Sequence, residues 1–234
     1  MTTAPVDRPY RTIRQLLPVL VLLAMPACRD GDGAYFPLDG SRTWEYEARR
    51  SIRGEHHTQR LVVASMPAVR AAQGTIYPQR RIDGLTYLYR HDDDGIFRTD
   101  DAGTKLARIL PGKIRPGQKW QEPGRVLFLE VTGAFKATFD ERAQNLIPLE
   151  YVIEATDDVV ETRAGRFNNC LRVKSTGSMF AGATLREFMG IRFIKVLQTE
   201  WYAPGVGLVK RVRQESTTPA EWNNEYQQEL IASF

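Results

Sequence analysis

Residues 76–98 read IYPQRRIDGLTYLYRHDDDGIFR, and the turn residues in this stretch decide the fold class. Asp83-Gly84 separates residues 76–82 from residues 85–90, two runs rich in Ile, Leu and Tyr. A two-residue hairpin turn needs positive φ at both central positions, and Asp-Gly is among the pairs that supply it. Asp92-Asp93-Asp94-Gly95 then returns the chain into Ile96-Phe97-Arg98. Three short strands joined by tight turns predict antiparallel sheet.

The pattern spreads in both directions. Upstream, Trp44, Tyr46 and Ala48 alternate with Glu45, Glu47 and Arg49, the period of two of a half-buried strand. Residues 61–64 form a second apolar run. Downstream come residues 126–129, 149–154 and 171–174, then 196–203 and 207–212 on either side of Pro204-Gly205-Val206. A last strand is expected over 222–234, with Trp222, Tyr226, Leu230, Ala232 and Phe234 on one face. Roughly nine to eleven strands with short turns read as an all-β sheet or barrel. Helix evidence is thin: in 181–195, Leu185, Phe188, Met189 and Phe193 fit one helical face, and a lid or a strand lead-in fits them as well. No internal repeat points to a solenoid or propeller.

The first 28 residues carry an address. Arg8, Arg11 and Arg14 precede an apolar run over 16–24 that Pro18 interrupts, and Met25-Pro26-Ala27-Cys28 follows. A basic start, a short apolar middle and a small residue before the cut describe an export signal. The run is about half the roughly 20 residues that a spanning helix needs. Ala27-Cys28 resembles the bacterial lipobox, in which the Cys is acylated (palmitate being one such acyl group) and becomes the new N-terminus; Met25 is a less common residue at its position. Arg29 stands where that resemblance would put Asp for inner-membrane retention, so the periplasmic face of the outer membrane is expected. The expected organisation is a signal over 1–27, a lipidated Cys28 with a tether over 28–33, and a β domain over 34–234. Extended, the tether spans under ~20 Å, which keeps the domain near the lipid.

The whole chain has 32 Lys and Arg against 28 Asp and Glu. The leader takes three Arg and Asp7 with it, leaving a net charge of +2. That balance argues against nucleic acid as a partner. With Cys28 acylated, Cys170 is the only thiol left, which excludes an internal disulfide and a cysteine-rich metal site. Cys170 is read as a small buried apolar residue.

Catalytic signatures fail on spacing. Ser178 lacks the flanking glycines of a nucleophile elbow, and Glu55-His56-His57 lacks the i, i+4 histidines of a zinc helix; His91 is the remaining histidine. Residues 112–119 nearly match a phosphate loop, but Gln118-Lys119 stands where Lys-Ser or Lys-Thr is required, and Pro116 removes a needed N–H. Asp92, Asp93 and Asp94, with Asp100 and Asp101, diverge on a tight turn rather than converging on a cation. The expectation is a chain that is not an enzyme and binds no cofactor or metal. Lys105, Arg108, Lys113, Arg115, Lys119 and Arg125 form a denser basic set, read as a solvated face that could also meet anionic head groups.

Aromatics remain: Trp44, Tyr46, Tyr87, Tyr89, Trp201, Tyr202, Trp222 and Tyr226, nearly all on expected strands. Individually they read as sheet core. Together Trp44, Tyr46, Tyr87, Tyr89, Trp201, Trp222 and Tyr226 are a candidate hydrophobic face on a concave sheet.

Three stretches carry a resemblance: residues 34–38 with Gly40, Trp44 and Tyr46; Ala164-Gly165-Arg166-Phe167 with Asn169-Cys170-Leu171 and Val173; and residues 201–210, with Pro111, Gly117 and Trp120 fitting loosely. Together they resemble a family of uncharacterised bacterial periplasmic proteins and lipoproteins. That family is similar at fold level to the LolA- and LolB-like lipoprotein carriers. The resemblance implies one strongly curved antiparallel sheet, an unclosed barrel with at most one or two short helices, whose concavity takes a hydrophobic ligand or acyl group. A structural or assembly module pairing with another envelope protein is the alternative.

Cells fed labelled palmitate are expected to label the wild-type chain and not Cys28→Ala, with the label in the outer-membrane fraction. An unlabelled wild-type chain, or recovery from the cytosol, would refute this address.

Overall fold

A computed structural model describes residues 32–38, 40–131 and 146–234. Cys28, the leader and the first part of the tether lie outside the described residues; helix α1 (Asp32–Tyr35) begins inside the stretch read as tether.

Strand β1 (Thr43–Ile52) buries Trp44, Tyr46 and Ala48 as its alternation predicts, with Ile52 beyond them, but Glu45 on the opposite face is buried as well. It turns through Arg53-Gly54 into β2 (Glu55–Ser65), with φ of 52° and 78° at the two turn residues. This is the two-residue turn with positive φ at both positions that the sequence placed at Asp83-Gly84. There only Gly84 has positive φ. The Arg81 N–H reaches the Leu85 carbonyl at 2.8 Å, and Asp83 Oδ1 accepts the Leu85 N–H at 3.2 Å. The Asp83 carboxylate thus closes a wider loop by side-chain bonding.

The strands that follow are β3 (Val69–Ala71), β4 (Gly74–Arg81), β5 (Thr86–Asp92), β6 (Gly95–Thr99), β7 (Lys105–Pro111) and β8 (Lys119–Arg125). Helix α2 (Leu127–Val131) precedes the long hairpin β9 (Leu146–Thr162) and β10 (Gly165–Phe180). Helix α3 (Ala183–Met189), β11 (Phe193–Ala203), β12 (Gly207–Thr218), a 3-10 turn (Ala220–Trp222) and β13 (Asn224–Ser233) complete the chain.

All pairs are antiparallel in one path, β7-β6-β5-β4-β2-β1-β13-β12-β11-β10-β9-β8, with β3 beside β4. Because β1 bonds to β13, the sheet curls into a nearly closed barrel whose one unsealed seam lies between β7 and β8. The near-miss phosphate loop is the connection across that seam. Its Gly117 N–H is taken by the Ile153 carbonyl at 2.7 Å, so it serves to pin the loop to β9. No described helix is long and apolar enough to cross a membrane.

Two expected strands differ. Residues 126–129 enter α2, because Glu215 on β12 accepts the Leu127 and Phe128 N–H groups at 2.7 and 2.9 Å, a tertiary cap that a short apolar run does not reveal. The last strand begins at Asn224 rather than Trp222. Its buried face is Asn224, Tyr226, Gln228 and Leu230, while Phe234 is exposed.

The two ends of the barrel are stoppered by apolar groups. At one end Phe36 lies 5.0 Å from the Tyr89 ring of β5 and 6.3 Å from the Tyr202 ring of β11. Those strands are far apart along the path, so Phe36 bridges the concave side. At the other end Val126, Phe128 and Leu129 pack with Leu185, Met189, Ile191, Ile194 and Ile52. Between β8 and β10, Leu149 is nested against two glycines. A Cβ on Gly124 would meet Leu149 Cδ1 at 2.2 Å, and one on Gly177 would meet Leu149 Cδ2 at 2.7 Å and the Pro148 carbonyl oxygen at 2.3 Å.

Gly177→Ala is therefore expected to lose about 1–3 kcal/mol by overpacking, seen as a lower thermal midpoint. Gly182→Ala, which meets nothing within 4 Å, should leave the midpoint nearly unchanged.

Candidate functional site

Residues opposite one another in an antiparallel pair share a face of the sheet. One such row runs across seven strands from β8 to β1: Trp120, Tyr151, Ser175, Gln198, Arg213, Tyr226 and Arg50. The next row is Val173, Glu200, Arg211, Gln228 and Ala48. These rows lie between the two apolar ends, so the concave side carries a polar belt. Polar side chains therefore lie among the aromatic residues that the sequence reads as a candidate hydrophobic face.

Much of the belt is held by its own members. Arg213 donates from Nε to Glu215 at 2.8 Å, from Nη1 to Gln198 at 3.0 Å, and from Nη2 to the Arg125 carbonyl. Glu215 also accepts from Asn224 Nδ2 at 2.9 Å. Arg211 donates to Glu200 at 2.7 Å through Nε, and Tyr202 donates to the same carboxylate at 3.0 Å. Burial works against the charge of Arg211, but Glu200, together with the Tyr202 and Tyr226 hydroxyls, outweighs this and raises its pKa. Burial likewise pushes Tyr46, Tyr89, Tyr202 and Tyr226 upward, and Tyr151 to about 12. These phenols keep their protons at neutral pH.

Other donors on the belt have no acceptor. Trp120 is 7% exposed and Ser175 1% exposed, yet Trp120 Nε1 and Ser175 Oγ are buried without a hydrogen-bond partner, as is Arg50 Nε. Trp120 stacks on Tyr151 with ring centroids 5.2 Å apart, which holds its indole in place.

The candidate aromatics are divided. Tyr46, Tyr87, Tyr89 and Tyr226 come together: Tyr46 and Tyr226 both feel Arg211, Tyr89 acts on Tyr46, and Tyr87 acts on Tyr89 and Tyr226. Trp44 is a structural clasp, donating from Nε1 to the Val206 carbonyl at 2.6 Å. Trp201 pairs across the strands with Lys210, on the face opposite to Glu200, and donates to Asp158 at 3.0 Å. Trp222 lies at the α3 end, donating to the Met189 carbonyl at 3.2 Å with Arg53 over its ring at 4.6 Å.

The motif residues behind the family resemblance also build a joint. The Gly205 N–H meets the Ala34 carbonyl at 2.6 Å, Tyr46 donates to the Leu208 carbonyl at 3.0 Å, and Pro37 lies against Gly207. Cys170 is fully buried; burial, with Asp158 nearby, pushes its thiol up to about 11, which leaves it inert.

The acidic turn is likewise structural. Asp92 binds Arg90 and Lys105, and Asp100 accepts the Ala102 and Thr104 N–H groups. The basic set is dispersed: Lys105 pairs with Asp92 and Asp94, Arg108 stacks on Phe97 and Lys119 pairs with Glu150, while Lys113 and Arg115 are exposed on the seam loop.

No protein-family model matches the chain, and no curated protein matches it at a significant level. Two solved structures are similar to it. One is a candidate exported protein with a YmcC-like fold from Bacteroides fragilis, 17% identical over 86% of this chain and 98% of that one, with a TM-score of 0.42. The other is a candidate lipoprotein from Parabacteroides distasonis, 14% identical over the same shares, with a TM-score of 0.40. At these TM-scores neither likeness bears on location or ligand.

Glu215→Ala strands Arg213 and two helix N–H groups, a loss of about 3–5 kcal/mol for a broken buried pair. Urea unfolding should show the lower midpoint.

Proposed function

We propose that this chain is a non-enzymatic lipoprotein of the bacterial envelope that holds a ligand on the concave face of its sheet. The lipobox-like Ala27-Cys28, followed by Arg29, supports anchoring to the periplasmic face of the outer membrane, with the membrane as partner and no role for nucleic acid. The binding reading is carried by the buried, acceptor-less donors of Trp120, Ser175 and Arg50 on one concave row. Each such group costs about 1–3 kcal/mol while unsatisfied, a cost that a bound, acceptor-rich molecule would offset.

The ligand expected from the sequence is a hydrophobic molecule or an acyl group. The polar belt favours an amphiphile instead. Half-buried Tyr77 and Tyr87 offer its acyl or other apolar part a surface, and the belt offers its polar part hydrogen-bond donors.

A second reading, assembly with an envelope protein through a sheet edge, draws support from β2. That strand pairs with β4 only at Val63–Ser65, so along Glu55–Leu61 its second edge has no strand beside it among the described residues. Crosslinking in intact cells separates the two, since assembly predicts one dominant protein partner.

Mass spectrometry of the lipidated protein purified from envelopes is expected to find a co-purifying amphiphile that is depleted in Ser175→Val. Extracts of the wild-type protein that contain no such molecule would overturn the concave-face reading.

A further inference from the structure

Arg50, Arg81 and Arg98 converge on one part of the concave face. Arg50 Cζ is 5.6 Å from the Tyr226 ring centroid and Arg98 Cζ is 4.7 Å from that of Tyr87. Arg50, Arg81, Arg211 and Tyr87 all act electrostatically on the Tyr226 hydroxyl. The strands agree: Arg50 opposes Tyr226, and Arg98 opposes Tyr89, two residues from Tyr87 along β5.

The charges of this group do not balance. Arg81 pairs with Asp83 at 2.6 Å and Arg211 with Glu200, but neither Arg50 nor Arg98 has a carboxylate partner among the described residues. In Arg50, Arg81 and Arg98 alike, the Nε–H is buried with no acceptor. That atom belongs to the edge of the guanidinium fork that grips a carboxylate or phosphate with two parallel bonds. The edge is open in Arg50, while Arg81 shares its fork with Asp83 through Nη2 and Arg98 also donates to the Tyr89 hydroxyl, so each keeps an Nε–H to offer. The three side chains are half-buried, and each buried Nε–H left without an acceptor costs free energy that a bound acceptor would recover.

We propose that Arg50, Arg81 and Arg98 form the receiving site for an acidic group, a carboxylate or a phosphate, carried by the concave-face ligand. This assignment rests on the binding reading above and narrows it. The Tyr226 hydroxyl is occupied by Gln228 at 2.9 Å, which leaves the arginine edges as the principal donors. Arg211, already held twice by Glu200, supplies field rather than contact.

The test titrates the lipidated protein in detergent micelles with octanoate, octyl phosphate and octanol, using micelles alone as the blank. The acidic probes are expected to bind about tenfold more tightly than octanol, the scale of one charge-assisted hydrogen bond, and to weaken with added salt. A double substitution, Arg50→Gln with Arg98→Gln, should abolish that preference, and Arg50→Lys with Arg98→Lys should restore part of it. Binding of octyl phosphate but not octanoate identifies phosphate as the group received, and the converse identifies carboxylate.

Equal binding of all three probes overturns the acidic-group assignment and leaves the concave-face reading standing. Failure of every probe to bind counts against both. If circular dichroism shows the glutamine pair unfolded, the ranking of the three probes by the wild-type protein decides alone.

Discussion

The Arg213–Glu215 pair on β12 is the contact on which the rest of the barrel depends. These two residues project from one strand into the concave side, and between them they bind Gln198 on β11, Asn224 on β13, the Arg125 carbonyl at the end of β8 and the first N–H groups of α2. No other described side-chain pair ties so many separate elements together. Through it the end of β8 and the helix that stoppers the barrel are fixed to strands on the far side of the sheet. An apolar pair of similar size would fill the space but would leave the α2 N–H groups without acceptors.

The interior is layered: an aromatic stopper around Phe36, then the charged belt, then the aliphatic cluster beneath α2 and α3. Burying charges in a barrel of this size gains little net stability, because desolvation consumes most of the attraction. What the belt contributes is register. A one-residue slip of β12 against β11 would turn Arg211, Arg213 and Glu215 away from Glu200 and Gln198. The same layer leaves donors open at Trp120, Ser175 and the Arg50 side, so rigidity and openness are found on one row of residues.

Much of the architecture could be read from periodicity. The alternation over 44–49, the runs over 149–154 and 171–174, and the turn at Pro204-Gly205-Val206 all correspond to observed strands and turns. Less was legible where tertiary contacts overrule local pattern. The apolar run at 126–129 looks like a strand until Glu215, far along the chain, supplies its helix cap. The two-residue turn with positive φ at both positions is Arg53-Gly54, which a search for Asp-Gly or Asn-Gly passes over. The belt did leave a trace: Gln198 and Glu200 are in phase with Ile194, Val196 and Tyr202, and Arg211, Arg213 and Glu215 share one phase of β12. Polar residues on the buried phase of a strand are a signal, but which strands bring them together is a matter of topology. The aromatic residues misled because size and type do not say which side of a strand faces inward, as Trp201 shows.

Phe36 stands only eight residues after Cys28, so in the proposed lipoprotein the stopper and the attachment point would be neighbours on one short piece of chain. Acylation at Cys28 would therefore fix the molecule's posture as well as its location. The mouth closed by Phe36 would stand against the bilayer, and the opposite pole, with exposed Phe180 and Phe188 beside α3, would point into the aqueous space. Anything entering from the lipid side would meet Phe36 first, whereas a visitor from the water would arrive at the pole furthest from the anchor.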